Sequence, residues 1–461
     1  MTDLEYKSLK VLERIMLKKN DKEDPPMAYE NKSDDPENNM VISVFVSSFD
    51  YYRATIPYTA FGDAGGSVMI TRPLTKGEIK FWGDSKFFVL SKIISIEYFE
   101  TVKEFAKQLG AILIYDLDDN LHEVEPWNYA YHIYDRSTET GSNNLINLEH
   151  ILKNSDHVIY STRELSNYYS LLNPNSSILP NFLDIDKRYK DIEPVDWREM
   201  AENQNVPYSD ESVLVGFFGS DSHIEDMSIL QNPMLKVLAN NKNVIFAVMT
   251  GQDLISHVLI KKWGIGSNRF VYMPFQSIND YTKFVATFDI GLAPLHNSIF
   301  NSCKSNLKLL EYGAFGIPYI ASKVANFQRF HVESGKVGGF ICDSDEEWFE
   351  KINYLIENPE IRKKMGNDLK DYVYNQYDVK KSLVLITNIF RTIHENHNKI
   401  RKKPNIIELA DSYDNIPHVK LEYFEDDVCP CGSGDKYINC KNDCYPAWGE
   451  IIKEDICQSN S

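Results

Sequence analysis

The stretch Cys303–Ser322, CKSNLKLLEYGAFGIPYIAS, holds the residues best suited to chemistry. With Ser302 or Ser305 as helix cap and Gly316–Ile317–Pro318 as the stop, it reads as a helix running into a strand. Lys304, Lys308 and Glu311 then fall at i, i+4 and i+7, on one face near the helix N-terminus. A helix N-terminus backed by two lysines suits a diphosphate. A carboxylate one or two turns further in accepts hydrogen bonds from ribose hydroxyls. The constellation fits a sugar nucleotide. The plainer alternative is a Lys308–Glu311 surface pair on an ordinary amphipathic helix.

Other segments offer supporting groups. Val213–Asp226, VLVGFFGSDSHIED, reads as a strand followed by a Gly-Ser turn. Gly219 and Ser220 offer an amide and a hydroxyl to phosphate. His223 is within reach of the same cleft, or is a loop bystander. His296–Ser302, which includes His296 and Asn301, lies between a strand and the lysine-bearing helix. In Phe49–Pro57, FDYYRATIP, Arg53 either points into a cleft from a helix start or caps a helix end at the surface. In Tyr115–Asn120, YDLDDN, Asp118 and Asp119 follow a strand. Aspartates there act on an acceptor hydroxyl, bind a metal, or simply make the turn.

The elements that position these groups follow from hydropathy. Residues 1–39 read as an appendage, with an amphipathic helix over Leu4–Lys18 and a loose linker over Asn20–Asn39. From Met40 onward, apolar runs alternate with helical stretches. The first series of strands is Val41–Phe49, Ser67–Ile70, Phe87–Ile93, Ala111–Asp116, Val158–Ser161 and Ile178–Leu179. The pattern lapses around Asp184–Ser212. A second series follows: Val213–Phe218, Asn243–Met249, Phe270–Met273, Ile290–Ala293, Pro318–Ala321 and Gly339–Ile341. Near-continuous apolar strands separated by helices call for parallel sheets covered on both faces. The expected division is a first domain over 40–200, a second over 201–398 and a tail over 399–461. Two doubly wound α/β domains bind ligands outside the carboxyl ends of their strands, in the cleft between them.

The second series resembles the nucleotide-sugar-binding segment of GT-B glycosyltransferases, in particular the glycosyltransferase family 4-like group. That group carries a Glu-x7-Glu pattern, then small residues, Gly-x-Pro and a strand. Glu311 takes the place of its second, ribose-binding glutamate. Its first glutamate falls on Cys303, so the role at the donor sugar does not carry over. A subgroup with Lys-Ser before the helix and Lys-x-x-Glu-Tyr within it matches more closely. The turn at Gly219–Ser220 resembles the one whose backbone approaches the donor phosphates. Tyr52, Arg53 and Pro57 resemble a first strand-to-helix turn, and Leu179–Asp184, LPNFLD, the exit from the first domain. The likeness spans about residues 41–395.

The resemblance implies two tandem Rossmann-like doubly wound domains facing across a cleft. It implies a transferase that moves a sugar from a nucleotide-diphosphate sugar to an acceptor hydroxyl with retention, without a catalytic metal. Lys304, Asp118 and Asp119 are then catalytic candidates, and Gly219, Ser220, Lys304, Lys308 and Glu311 hold the donor. The acceptor is open among a glycan, a protein and a hydroxymethylated DNA base, the last fitting a phage-like enzyme. A GT-B-fold epimerase or phosphorylase, and a non-catalytic binding module, remain alternatives.

The tail is separate. Five of the seven cysteines fall from Cys429 onward. CPCGSGDKYINCKNDC resembles the SEC-C zinc motif, with Cys429, Cys431 and Cys440 as ligands and Cys444 as the best fourth. Such a zinc-bound tail can recruit a protein or nucleic-acid partner. The chain carries a net charge of −18, and residues 405–461 alone hold 12 acidic against 4 basic residues. A nonspecific nucleic-acid binder is thereby disfavoured, while a local basic groove is not. No apolar run is long enough for a membrane span or a signal peptide, so the expectation is a cytoplasmic protein, in the host cytoplasm if phage-encoded.

Overall fold

The structure, a computed structural model, describes residues 29–31, 41–46, 51–71, 85–128, 130–250, 256–274, 276–278 and 280–400. The predicted helix over Leu4–Lys18 and the tail cysteines Cys429, Cys431, Cys440 and Cys444 lie outside them.

Both strand series form sheets. The first contains β1 (Tyr29–Asn31), β2 (Val41–Val46), β3 (Ser67–Thr71), β4 (Phe87–Ser91), β5 (Ile112–Leu117), β6 (His157–Tyr160) and β7 (Ser176–Ile178), in the order β1-β3-β2-β4-β5-β6-β7. Strands β2 to β7 pair in parallel. The second contains β8 (Val213–Phe218), β9 (Val244–Thr250), β10 (Phe270–Pro274), β11 (Ile290–Ala293), β12 (Tyr319–Ser322) and β13 (Gly339–Cys342). Its order is β10-β9-β8-β11-β12-β13, all parallel. Strand order therefore reverses beside β8 and β11, which opens a crevice at their carboxyl ends. Strands β4, β5, β8, β9 and β11 are buried throughout, which is why their sequences show apolar runs instead of alternation.

Two features correct the sequence expectation. The linker expected over Asn20–Asn39 contributes β1, which pairs antiparallel with β3 at the sheet edge. A three-residue edge strand, YEN, has no hydropathy signature of its own. The last helix, Val379–Ile400, was expected to close the second domain. Its Ile386, Phe390 and Ile393 instead pack with Ile42, Val44, Tyr58 and Phe87 of the first. The chain thus crosses between domains twice. The crossings bond to each other: Leu183 N–H donates to the Tyr377 carbonyl at 2.9 Å, and Val379 N–H to the Leu183 carbonyl at 2.9 Å.

The lysine-bearing segment is also reshaped. The helix expected between a Ser302 or Ser305 cap and the Gly316–Pro318 stop forms as Leu307–Ala314, preceded by a separate short helix, Ile299–Cys303. Ser298 caps the short helix through the Asn301 amide, and neither Ser302 nor Ser305 serves as a cap. Asn306 takes the N-cap position of the second helix without a side-chain cap bond. Gly316, at φ 71°, ends that helix where a side chain would be strained. Tyr312 anchors it to the sheet by donating to the Leu292 carbonyl at 2.8 Å. Gly291 allows that approach, since a Cβ there would sit 2.5 Å from the Tyr312 ring.

Candidate active site

Lys304 occupies the break between the two short helices, with extended backbone. Lys304, Lys308 and Glu311 therefore do not share one continuous helical face. The fold still brings the lysines close enough for the Lys304 charge to act on Lys308. Burial and the Lys304 charge bring the Lys308 ammonium down to about 8. Lys308 lies 5.3 Å from the Phe218 ring centroid and forms no ion pair among the described residues. Lys304 lies 4.4 Å from the Phe300 ring centroid and 3.7 Å from Asp119 across the domain boundary.

Glu311 is 2% exposed. Its Oε1 accepts from Tyr52 at 2.6 Å, from Tyr189 at 3.3 Å and from Tyr281. These tyrosines come from the first domain, the hinge and the second domain. Burial pushes the Glu311 carboxyl above its usual range, against the hydrogen bonds of Tyr281 and Tyr52 and the charges of Arg188 and Lys308. Of the turn residues Tyr52 and Arg53, the candidate Arg53 is not the one at the cleft; Tyr52 is. Consecutive helical residues point about 100° apart, so only one of the two faces the cleft.

Arg53 neither enters the cleft nor caps a helix at the surface. It is 2% exposed and bridges to Asp116, Nε to Oδ1 at 2.9 Å and Nη2 to Oδ2 at 2.7 Å. Its Nη1 donates to the Leu179 carbonyl and, at 3.1 Å, to Asn181. Asn181 in turn donates to Ser305 at 3.0 Å, linking the first domain's exit to the lysine segment.

At the carboxyl end of β8, the Gly219 amide donates to the Met249 carbonyl at 3.1 Å, so it is spent on the β-ladder and not free for phosphate. Ser220 is exposed and shares a 2.7 Å hydrogen bond with Ser222. The organising group here is Asp226, which sequence reasoning missed. Its Oδ2 bonds His223 Nδ1 at 3.0 Å. Its Oδ1 accepts from the His296 amide and from Asn301 Nδ2, both at 2.9 Å. One buried carboxylate thus gathers His223, His296 and Asn301 from two loops. The sole sequence signal was its i, i+3 spacing from His223. Burial, then the Lys308 charge, pushes the His223 imidazole down to about 3, so it stays neutral.

Asp118 pairs with Lys92 at 2.6 Å. Burial opposes its ionisation, but Lys92, Arg53 and Lys304 hold it below the ordinary carboxylate range. Lys92 adopts a left-handed φ of 56°, a strain that a non-glycine residue carries at few places. No group of three or more His, Cys, Asp or Glu among the described residues is placed to hold a metal. Cys303 is buried with the first domain's core and receives a 3.6 Å contact from Asn120. Burial pushes its thiol up to about 12, as fits a packing residue. Trp127, half exposed, brings its ring 5.9 Å from that of His296 at the mouth of the cleft.

With this geometry in view, the likeness to known proteins becomes specific. The family model described as glycosyl transferases group 1 matches residues 212–358. The second domain matches the group 1 glycosyl transferases. That span contains β8 to β13, Asp226, both lysines and Glu311. A search of curated proteins finds no match. Among solved structures, the chain is similar to Anabaena HepE, solved with UDP-glucose. The identity is 16% and the TM-score 0.55, with 78% of this chain and 100% of that one covered. Sucrose-phosphate synthase from Thermosynechococcus elongatus gives 12% identity and a TM-score of 0.55, covering 77% and 99%. A glycosyltransferase from Rickettsia africae gives 14% and 0.54, covering 80% and 100%. At these identities the likeness is one of fold: two Rossmann-like domains in the GT-B arrangement. No helix among the described residues is long and apolar enough to cross a membrane.

Proposed function

We propose that the protein transfers a sugar from a nucleotide-diphosphate sugar to an acceptor hydroxyl. The observation that carries this reading is the pair of cations beside Glu311 at the carboxyl ends of β8 and β11. Lys308, half-buried and without an ion pair among the described residues, is a charge awaiting an anion. The group 1 match over the same residues supports it, and the HepE complex favours a UDP-linked donor.

In this reading Lys304 and Lys308 receive the diphosphate and stabilise it as it departs, which is electrostatic help to a leaving group. Glu311 holds the ribose. The tyrosine hydroxyls now on Glu311 occupy the positions that ribose hydroxyls would take, so donor entry exchanges one set of O–H donors for another. Asp226 fixes the His296–Asn301 loop against the donor sugar. Asp118, kept ionised by Lys92, and Asp119 face this cleft from the first domain and position the acceptor. Retention follows the family resemblance, with the donor's own phosphate as base. The acceptor class stays among glycan, protein and hydroxymethylated DNA base. The tail cysteines Cys429, Cys431, Cys440 and Cys444 form a separate structural zinc site, and metal analysis of the full chain that finds no zinc counts against it.

A screen of UDP- and GDP-sugars against glycans, proteins and modified DNA, read by mass spectrometry of products, tests the activity. Glu311→Ala and Lys304→Ala are each expected to lose most transfer while staying folded. Full activity in both overturns the assignment.

A further inference from the structure

One buried guanidinium in the hinge lacks the partners its chemistry calls for. Arg188 ends the short helical turn Ile185–Arg188, in the segment joining the two domains. It is 6% exposed. Nη2 donates to the Ile278 carbonyl, while Nε and Nη1 have no hydrogen-bond partner among the described residues. The rings of Tyr51 and Tyr281 lie 4.7 and 5.4 Å from the guanidinium carbon and shield it from water. An arginine keeps its charge and can only donate. Buried donors of this kind are seldom left unsatisfied unless a ligand completes them.

The neighbours of Arg188 place it within the cleft. Lys304 and Lys308 lie at one end. The Phe218 ring beneath Lys308 is 6.2 Å from the Tyr281 ring. Tyr281 donates to Glu311 on one side and covers Arg188 on the other. The order is therefore two ammonium groups, a carboxylate, then a guanidinium. A nucleoside diphosphate has the same order: diphosphate, ribose, base. With the diphosphate on the lysines and the ribose on Glu311, the base reaches Arg188. Free N–H donors match ring carbonyl oxygens. Uracil presents two of these and adenine none.

We infer that Arg188 reads the nucleobase of the donor through its ring carbonyls, selecting uracil over adenine. This rests on the glycosyltransferase reading above. Adenine has no carbonyl, and its N1 and N7 acceptors each sit beside the amino donor, so it would leave at least one buried donor unpaired; such mismatches discriminate more strongly than a missing apolar contact.

The test is calorimetric titration of the full chain, as wild type, Arg188→Met and Arg188→Lys, with UDP, ADP and inorganic diphosphate. Thermal melts verify that both variants are folded. Wild type is expected to bind UDP at least about tenfold more tightly than ADP. Arg188→Met is expected to lose about tenfold in UDP affinity, level the two nucleotides and leave inorganic diphosphate unchanged. Arg188→Lys keeps the charge without the planar fork and is expected not to restore the preference. An unchanged UDP-to-ADP ratio in Arg188→Met overturns the inference. So does an equal loss of inorganic diphosphate rescued by lysine, which would put the guanidinium on phosphate. A wild type that binds no nucleotide sinks the glycosyltransferase reading itself, and this inference with it.

Discussion

The carboxyl ends of the two sheets meet in one cleft, yet their buried cations are treated differently. At the end of the first sheet, each nitrogen of the Arg53 guanidinium has an acceptor: both Asp116 oxygens, the Leu179 carbonyl and Asn181. On the hinge and second-sheet side, among the described residues, Arg188 keeps two nitrogens without a hydrogen-bond partner and Lys308 forms no ion pair. A completed polar network rigidifies its surroundings, whereas an incomplete one costs stability until a ligand fills it. The difference separates scaffold from site more sharply than residue type, since both sides use arginine.

The strongest way to break this comparison is to delete each guanidinium. Arg53→Met leaves the Asp116 carboxylate buried and uncompensated, and is expected to cost about 3–5 kcal/mol by urea denaturation. Arg188→Met orphans a single carbonyl and is expected to stay within about 1 kcal/mol of wild type. Equal costs would erase the distinction. Next in size, Lys308→Ala is expected to lower transfer about 10²-fold with little change in the urea midpoint.

A pH series sharpens the same point. Lys308 in the free protein loses its proton near 8, below its ordinary value, because it is half-buried beside Lys304. Diphosphate affinity is therefore expected to fall as pH rises through about 8, and Lys308→Ala should flatten that slope. The stability sign is opposite. Above the folded value the unfolded chain still binds the proton, so ligand-free stability gains a contribution as pH climbs toward the ordinary lysine value. Urea midpoints that fall over that range would contradict it. The smallest effect is at Cys303. Cys303→Ala, a packing change at the domain boundary, is expected to cost about 1 kcal/mol and leave transfer near wild type. A large loss of transfer would return this position to the chemistry.

Much of the fold was legible because buried parallel strands must be apolar along their length. Val213–Phe218 and Ile290–Ala293 occur at the predicted bounds. The short edge strand Tyr29–Asn31 was not legible, because three residues at an edge bury too little to impose a pattern. Nor was the return of Val379–Ile400 to the first domain. An amphipathic helix specifies which face it buries, not which sheet receives it. In the site, Lys304, Lys308 and Glu311 were readable from spacing within one segment, although the break at Lys304 was not. Asp226 lay inside a segment already singled out, and only its hydrogen bonds reveal its role.

The sequence by itself determined two tandem parallel-sheet domains and the segment carrying two lysines and a carboxylate. These depend on local hydropathy and on residues close along the chain. Only the tertiary structure decided that Tyr52, Tyr189 and Tyr281 converge on Glu311, that Arg53 is scaffold, and that Arg188 stands buried with donors to spare. Those facts arise from segments 30 to 259 residues apart. Whether a polar group is satisfied depends on what the fold places beside it, and no spacing along the chain records that.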